Sequence, residues 1–136
     1  MGSGFWIKLA PTLAVAALAA NAALAHHSFA MFDNSRSITL TGVVDIYQWT
    51  NPHGFLELDV PEAGGTKHYT IEMTSINMMS RAGWTSRTVK HGDRVTALIA
   101  PLRNGQPGGM LLELTLPSGK TILNPVPNPQ NYVRNR

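Results

Sequence analysis

From Ser37 onward the dominant period of the apolar residues is two, in runs separated by glycine and proline. Such alternation buries one face of a pleated strand, so the chain is constrained to a sheet with one covered side. The first run, about Ser37 to Trp49, places Ile38, Leu40, Val44 and Ile46 on one face, and Gly42 interrupts it where a bulge or tight bend is allowed. Thr50-Asn51-Pro52-His53-Gly54 reads as a turn, because Asn-Pro and Gly break pairing. The second run, about Phe55 to Val60, turns Leu56, Leu58 and Val60 inward and Phe55, Glu57 and Asp59 outward. Pro61 to Thr66, with Gly64-Gly65, forms a hairpin loop. The third run, about Lys67 to Met73, puts Tyr69, Ile71 and Met73 in the core and His68, Thr70 and Glu72 outside.

A short helix follows over Ser75 to Ala82, with Thr74 or Ser75 to cap its start and Gly83 to end it. Residues Thr85 to Asp93 are a connection turning at His91-Gly92-Asp93. A fourth strand, about Arg94 to Leu102, points Val95, Ala97 and Ile99 inward. After a Gly-rich loop over 103–109, a fifth strand, about Met110 to Leu116, points Met110, Leu112, Leu114 and Leu116 inward. Thr121 to Leu123 is a further short apolar piece. Three strands, a short helix and two strands make an all-β chain with one short helix. The order is that of a five-stranded OB-like Greek-key barrel, whose closure removes sheet edges. A small open β-sandwich is the alternative.

The first part of the chain reads as a secretory signal. Lys8 precedes an uncharged apolar run from Pro11 to Leu24, shorter than the ~20 residues a bilayer span needs. Ala23-Leu24-Ala25 fits the small-x-small pattern of a cleavage site. The expected organisation is a cleaved signal peptide over 1–25, a single β-barrel domain over 26–123 and an extended Pro/Asn-rich tail over 124–136 with little to bury. The mature protein would then be periplasmic or secreted, with no membrane attachment. The 136 residues contain no cysteine, which excludes a disulfide framework and thiol chemistry. A formal charge of +3 is too weak a basic bias to argue for nucleic acid, and Glu57, Asp59 and Glu72 would repel phosphates.

Cleavage after Ala25 would make His26 the new N-terminus. Its amine and imidazole can chelate one metal ion, since the first bond positions the second. Nitrogen ligands of this kind suit Cu(II) best, with zinc or nickel behind. His27 or a distant histidine would supply a third ligand; the competing reading is a flexible N-terminus whose histidines do nothing. His53 sits in the first loop, which rims the usual ligand face of OB barrels. It is either a turn histidine bonded to local backbone or part of that metal site. His68, with outward carboxylates near it, reads as a solvated cross-strand ion pair before a second metal or acid–base site. His91 reads as exposed and inert. Met73, Met78 and Met79 read as core packing rather than Cu(I) ligands. Tyr47, Trp49 and Phe55 flank the first loop, to stack on a ligand or to close a barrel end. No nucleophile elbow, phosphate loop or zinc-protease motif is present.

Three stretches carry a family resemblance: His26-His27-Ser28-Phe29-Ala30-Met31-Phe32-Asp33, Ile38-Thr39-Leu40-Thr41-Gly42, and Gln48-Trp49-Thr50-Asn51-Pro52-His53. They resemble small secreted proteobacterial proteins of unknown function, and the likeness continues through Ile71-Glu72-Met73, Ala82-Gly83-Trp84, Gly92-Asp93 and Pro101-Leu102-Arg103-Asn104-Gly105. The resemblance transfers no activity. It implies export, one β-rich domain, and a pairing of the His-His element with the loop that bears His53, which makes His53 the leading third ligand. The expected function is therefore a periplasmic or secreted metal-binding protein, most simply for Cu(II), using His26, His27 and His53. The alternative is a non-metal OB-like module that binds a small ligand or a periplasmic protein partner through its aromatic loop. A copper oxidative enzyme would need an open coordination position and a substrate surface, and the sequence shows neither.

Overall fold

The alternating runs become six strands in the computed structural model, which describes residues 29–133. They are β1 (Ile38–Gln48), β2 (Phe55–Glu62), β3 (Gly65–Glu72), β4 (Arg94–Pro101), β5 (Gly108–Thr115) and β6 (Thr121–Leu123), with one helix, α1 (Ile76–Arg81), between β3 and β4. The chain divides into two compact units, Met1–Met31 and Phe32–Arg136, and all of these elements belong to the second. Residues 1–28, which include the whole predicted signal peptide (1–25), and the tail end 134–136 lie outside the described residues. Among the described residues no helix is long and apolar enough to cross a membrane.

β1 pairs antiparallel with β2 and β4, β2 with β3, and β4 with β5. β3 and β5 then pair in parallel, which closes the circuit β1-β2-β3-β5-β4 into a five-stranded barrel of the OB type. That last pairing is short: Thr70, Ile71 and Glu72 face Gly108, Gly109 and Met110. β5 can enter between β3 and β4 there because it carries two glycines. A β-carbon on Gly108 would lie 2.5 Å from the Thr70 carbonyl oxygen, and one on Gly109 would overlap the Ala100 carbonyl oxygen.

The inward faces of β2 and β3 are as their periodicity dictates: Leu56, Leu58, Val60, Tyr69, Ile71 and Met73 are buried. Two strands depart from it for one physical reason. β1 bulges between Val44 and Ile46, so Asp45 is an extra residue and the parity behind it inverts. Ile46, expected inside, is 46% exposed, and Tyr47 packs against the core instead. β4 and β5 slip register between Leu98 and Ile99, so the core takes Leu111 and Leu114 rather than an unbroken Met110, Leu112, Leu114 series. Met110 and Leu112 are buried all the same, outside that core cluster.

Ser75 caps α1, its hydroxyl accepting from the Met78 amide at 3.4 Å. Met73 and Met79 are core, but Met78 lies on the solvent side of this short helix and is exposed, contrary to its expected packing. The segment after β6 also corrects its expectation, since Asn124, Val126 and Tyr132 are buried. Asn124 does the joining. Its Oδ1 accepts from the Thr74 amide (3.2 Å) and hydroxyl (2.9 Å), its Nδ2 donates to the Leu111 carbonyl (2.7 Å), and its own amide donates to Leu112 (3.0 Å).

Gly109→Ala should cost about 3 kcal/mol, because the added carbon meets backbone that has nowhere to move. Gly64→Ala, with open space around its β-carbon, should stay within about 0.5 kcal/mol of the parent. Urea unfolding of both variants measures the difference.

Candidate functional site

The outward faces of β2 and β3 carry the polar chemistry. Their register sets Phe55 opposite Glu72, Glu57 opposite Thr70 and Asp59 opposite His68. The loop from β1 to β2 adds His53 at one end of this strip. That loop turns through a cis Asn51–Pro52 peptide bond and is tied to the end of β3, the amide of Met73, the residue after that strand, donating to the Gly54 carbonyl at 2.8 Å. His53 is thereby brought beside Glu72, the last residue of β3, and its Nδ1 hydrogen-bonds the Glu72 carboxylate Oε1. Both side chains are partly covered, 29% and 15% exposed.

The arrangement engages one ring nitrogen of His53. In a neutral ring, a carboxylate at Nδ1 favours the proton there, which leaves Nε2 as the nitrogen with a lone pair for a metal or an acceptor role. Carboxylate-bonded histidines of this kind are the usual metal-ligating form, since the carboxylate fixes the tautomer and raises ligand basicity. His68 is held differently. Its Nδ1 lies 2.7 Å from Asp59 Oδ1 and its Nε2 2.9 Å from Glu57 Oε2, which also accepts from the Thr70 hydroxyl at 2.9 Å. Two ring nitrogens facing two carboxylates can both donate only as imidazolium. The Asp59 hydrogen bond leads in raising the His68 pKa above its ordinary 6.5, against a smaller loss from burial, with Glu57 adding to the rise. His68 is a cross-strand latch whose two ring nitrogens both face carboxylates, an arrangement that favours the imidazolium over a metal ligand.

His68 and Glu72 are four strand residues apart, about 13 Å, so the two histidines of the strip do not share one ion. Among the described residues no group of three or more His, Asp or Glu side chains is placed to hold a metal. Of the sequence-predicted ligands, His53 is in the loop as read, while His26 and His27 lie outside the described residues. Glu72 is on the outer face that its periodicity predicts, but it pairs with His53 and not with His68. His91 is exposed as expected, and it also braces the fold. Its Nδ1 donates to the Asp45 carbonyl at 2.8 Å, at the residue that the bulge leaves out of the ladder. Trp49 and Tyr47 are partly buried and pack against the core, their rings 6.1 Å apart.

A family described as one of unknown function, DUF6152, matches residues 14–112. The chain belongs to this family. The match contains the whole β2–β3 strip and the His53 loop, and it ends inside β5. No curated protein and no solved structure matches the chain.

The His68 latch makes a pH-dependent contribution whose sign follows from its raised pKa. It is fully present below the unfolded value near 6.5 and fades as pH climbs through the higher folded value. Proton NMR titration should place the His68 ring above 6.5, and Asp59→Asn should draw it back toward that figure. A His68 ring titrating at or below 6.5 in the parent chain would show that it is not donating from both nitrogens.

Proposed function

We propose that this is an exported protein, periplasmic or secreted, that binds a divalent transition metal, with Cu(II) the best fit. Cleavage after Ala25 would free the His26 amine, and that amine with the His26 imidazole, His27 and His53 Nε2 would make an all-nitrogen ligand set. Such ligands favour copper, at the top of the divalent affinity order, over nickel and zinc. The observation that carries this reading is the Glu72–His53 pair. A carboxylate on Nδ1 favours the tautomer that leaves Nε2 as a ligand atom, which supports a metal role for His53. The outward carboxylates Glu57, Asp59 and Glu72 favour cation approach on the same face and oppose phosphate.

The test uses protein purified from the periplasm of an expressing bacterium, with mass spectrometry of its N-terminus. The expected first residue is His26. Calorimetric and electron paramagnetic resonance titration with Cu(II) should show one site tighter than a free His-His peptide. His53→Ala should weaken that site at least about tenfold, and Glu72→Gln, which keeps the shape but loses the charge, about ten- to a hundredfold. Affinity equal to that of the free peptide, or unchanged in His53→Ala, overturns the proposal.

A further inference from the structure

The outer face of β1 carries an apolar seam between flanks of opposite charge. The bulge takes up Asp45, so Val43 and Ile46 become successive residues on that face, 37% and 46% exposed. On one side stands β2, with Asp59 opposite Val43 and Glu57 opposite Ile46. Both carboxylates engage His68 on β3. Two carboxylates and one imidazole still keep at least one negative charge between them, even with the ring protonated.

On the other side stands β4, with Arg94 opposite Val43. Val95 is buried, so Arg94 faces outward, in the same row as Val43 and Asp59. Among the described residues no carboxylate pairs with Arg94. Asp59 is two strand spacings away across the seam, about 10 Å, too far for a direct ion pair within the chain. The row therefore reads cation, apolar residue, anion across β4, β1 and β2.

Such a row is its own complement. A two-fold axis laid along β1 sets Val43 and Ile46 on their copies and exchanges the two flanks. Each Arg94 then meets Asp59 of the second copy. An unlike partner would need a matching row of its own, whereas a second copy brings it from the same sequence, and two-fold dimers are the commonest closed assembly.

We propose that this face is a self-association surface, on which a second copy of the chain docks about an axis along β1. The seam is small against the roughly 800 Å² per partner of a stable complex, so the dimer is weak and reversible. Charge sets its register, and burial of the seam adds the rest. The proposal uses neither His53 nor Glu72 and does not rest on the metal reading.

The test is sedimentation equilibrium of the protein as purified from an expressing bacterium, up to millimolar concentration. A reversible monomer–dimer equilibrium is expected. Salt at about 1 M, where the screening length falls to about 3 Å, should weaken it several-fold. Amide NMR shifts on dilution should fall on β1, β2 and the start of β4. Arg94→Glu and Asp59→Lys should each weaken the dimer at least about tenfold, because each sets like charges together twice. Mixed one to one, the two variants should associate again, since only their heterodimer matches both pairs. Should Asp59→Lys fail to fold, Ile46→Asp decides: it alters an exposed residue, places two like charges at the axis and should abolish the dimer. The proposal is overturned by a chain that stays monomeric at millimolar concentration, which leaves the face to an unlike partner. It is equally overturned by a dimer that survives Arg94→Glu and Ile46→Asp, by folded variants that do not associate on mixing, or by shifts confined to other strands.

Discussion

The barrel depends on one close approach, the entry of β5 between β3 and β4. Without it β3 would expose an open edge and the sheet would leave its apolar face uncovered. The entry is possible because Gly108 and Gly109 present no side chain to the carbonyls of Thr70 and Ala100. The consequence reaches the candidate site. The parallel pairing ends on Glu72, opposite Met110, so the backbone that closes the barrel also fixes where the Glu72 carboxylate stands. His53 meets a partner whose position is set by the fold rather than by the loop.

Closure holds for only those three residue pairs, and beyond them the two strands part. Asn124 fills the divergence, bonding Thr74 just past β3 and the carbonyl of Leu111 on β5. All of these groups are buried, so loss of the Asn124 amide would leave donors and acceptors unmet at about 1–3 kcal/mol each. Trp84, also buried, adds a tie from its indole nitrogen to the Leu123 carbonyl at 2.9 Å. The residues after β5 therefore belong to the barrel's seal.

How much of this the sequence discloses follows from what periodicity can record. Strand positions, the helix and the fold class are local patterns, and they are legible. A bulge is one residue that breaks no pattern, yet it inverts every side chain behind it; Ile46 and Tyr47 exchange faces on that account. Asn124 escapes too, because a polar residue buried by satisfied hydrogen bonds looks in composition like any loop asparagine. In the site, the alternation of β3 places Glu72 outward. Which histidine it meets depends on the β2–β3 register, and that is set by the hairpin rather than by either strand. The signal for it is present, since Ala63-Gly64 between Glu62 and Gly65 forms a tight turn. Counting back from that turn brings Glu72 opposite Phe55, two residues after His53.

The two histidines of the strip then differ by what their ring nitrogens face. His68, on a strand between two carboxylates, has both nitrogens engaged and ties β3 to β2. His53, on a loop beside one carboxylate, has one nitrogen spent and keeps a lone pair at the rim. Neither residue type nor local charge separates them, for both lie among acidic residues on the same face. The number of acceptors in reach does. Where two carboxylates meet both ring nitrogens, as at His68, neither nitrogen is left to bind a metal; where one carboxylate meets one nitrogen, as at His53, the other nitrogen remains.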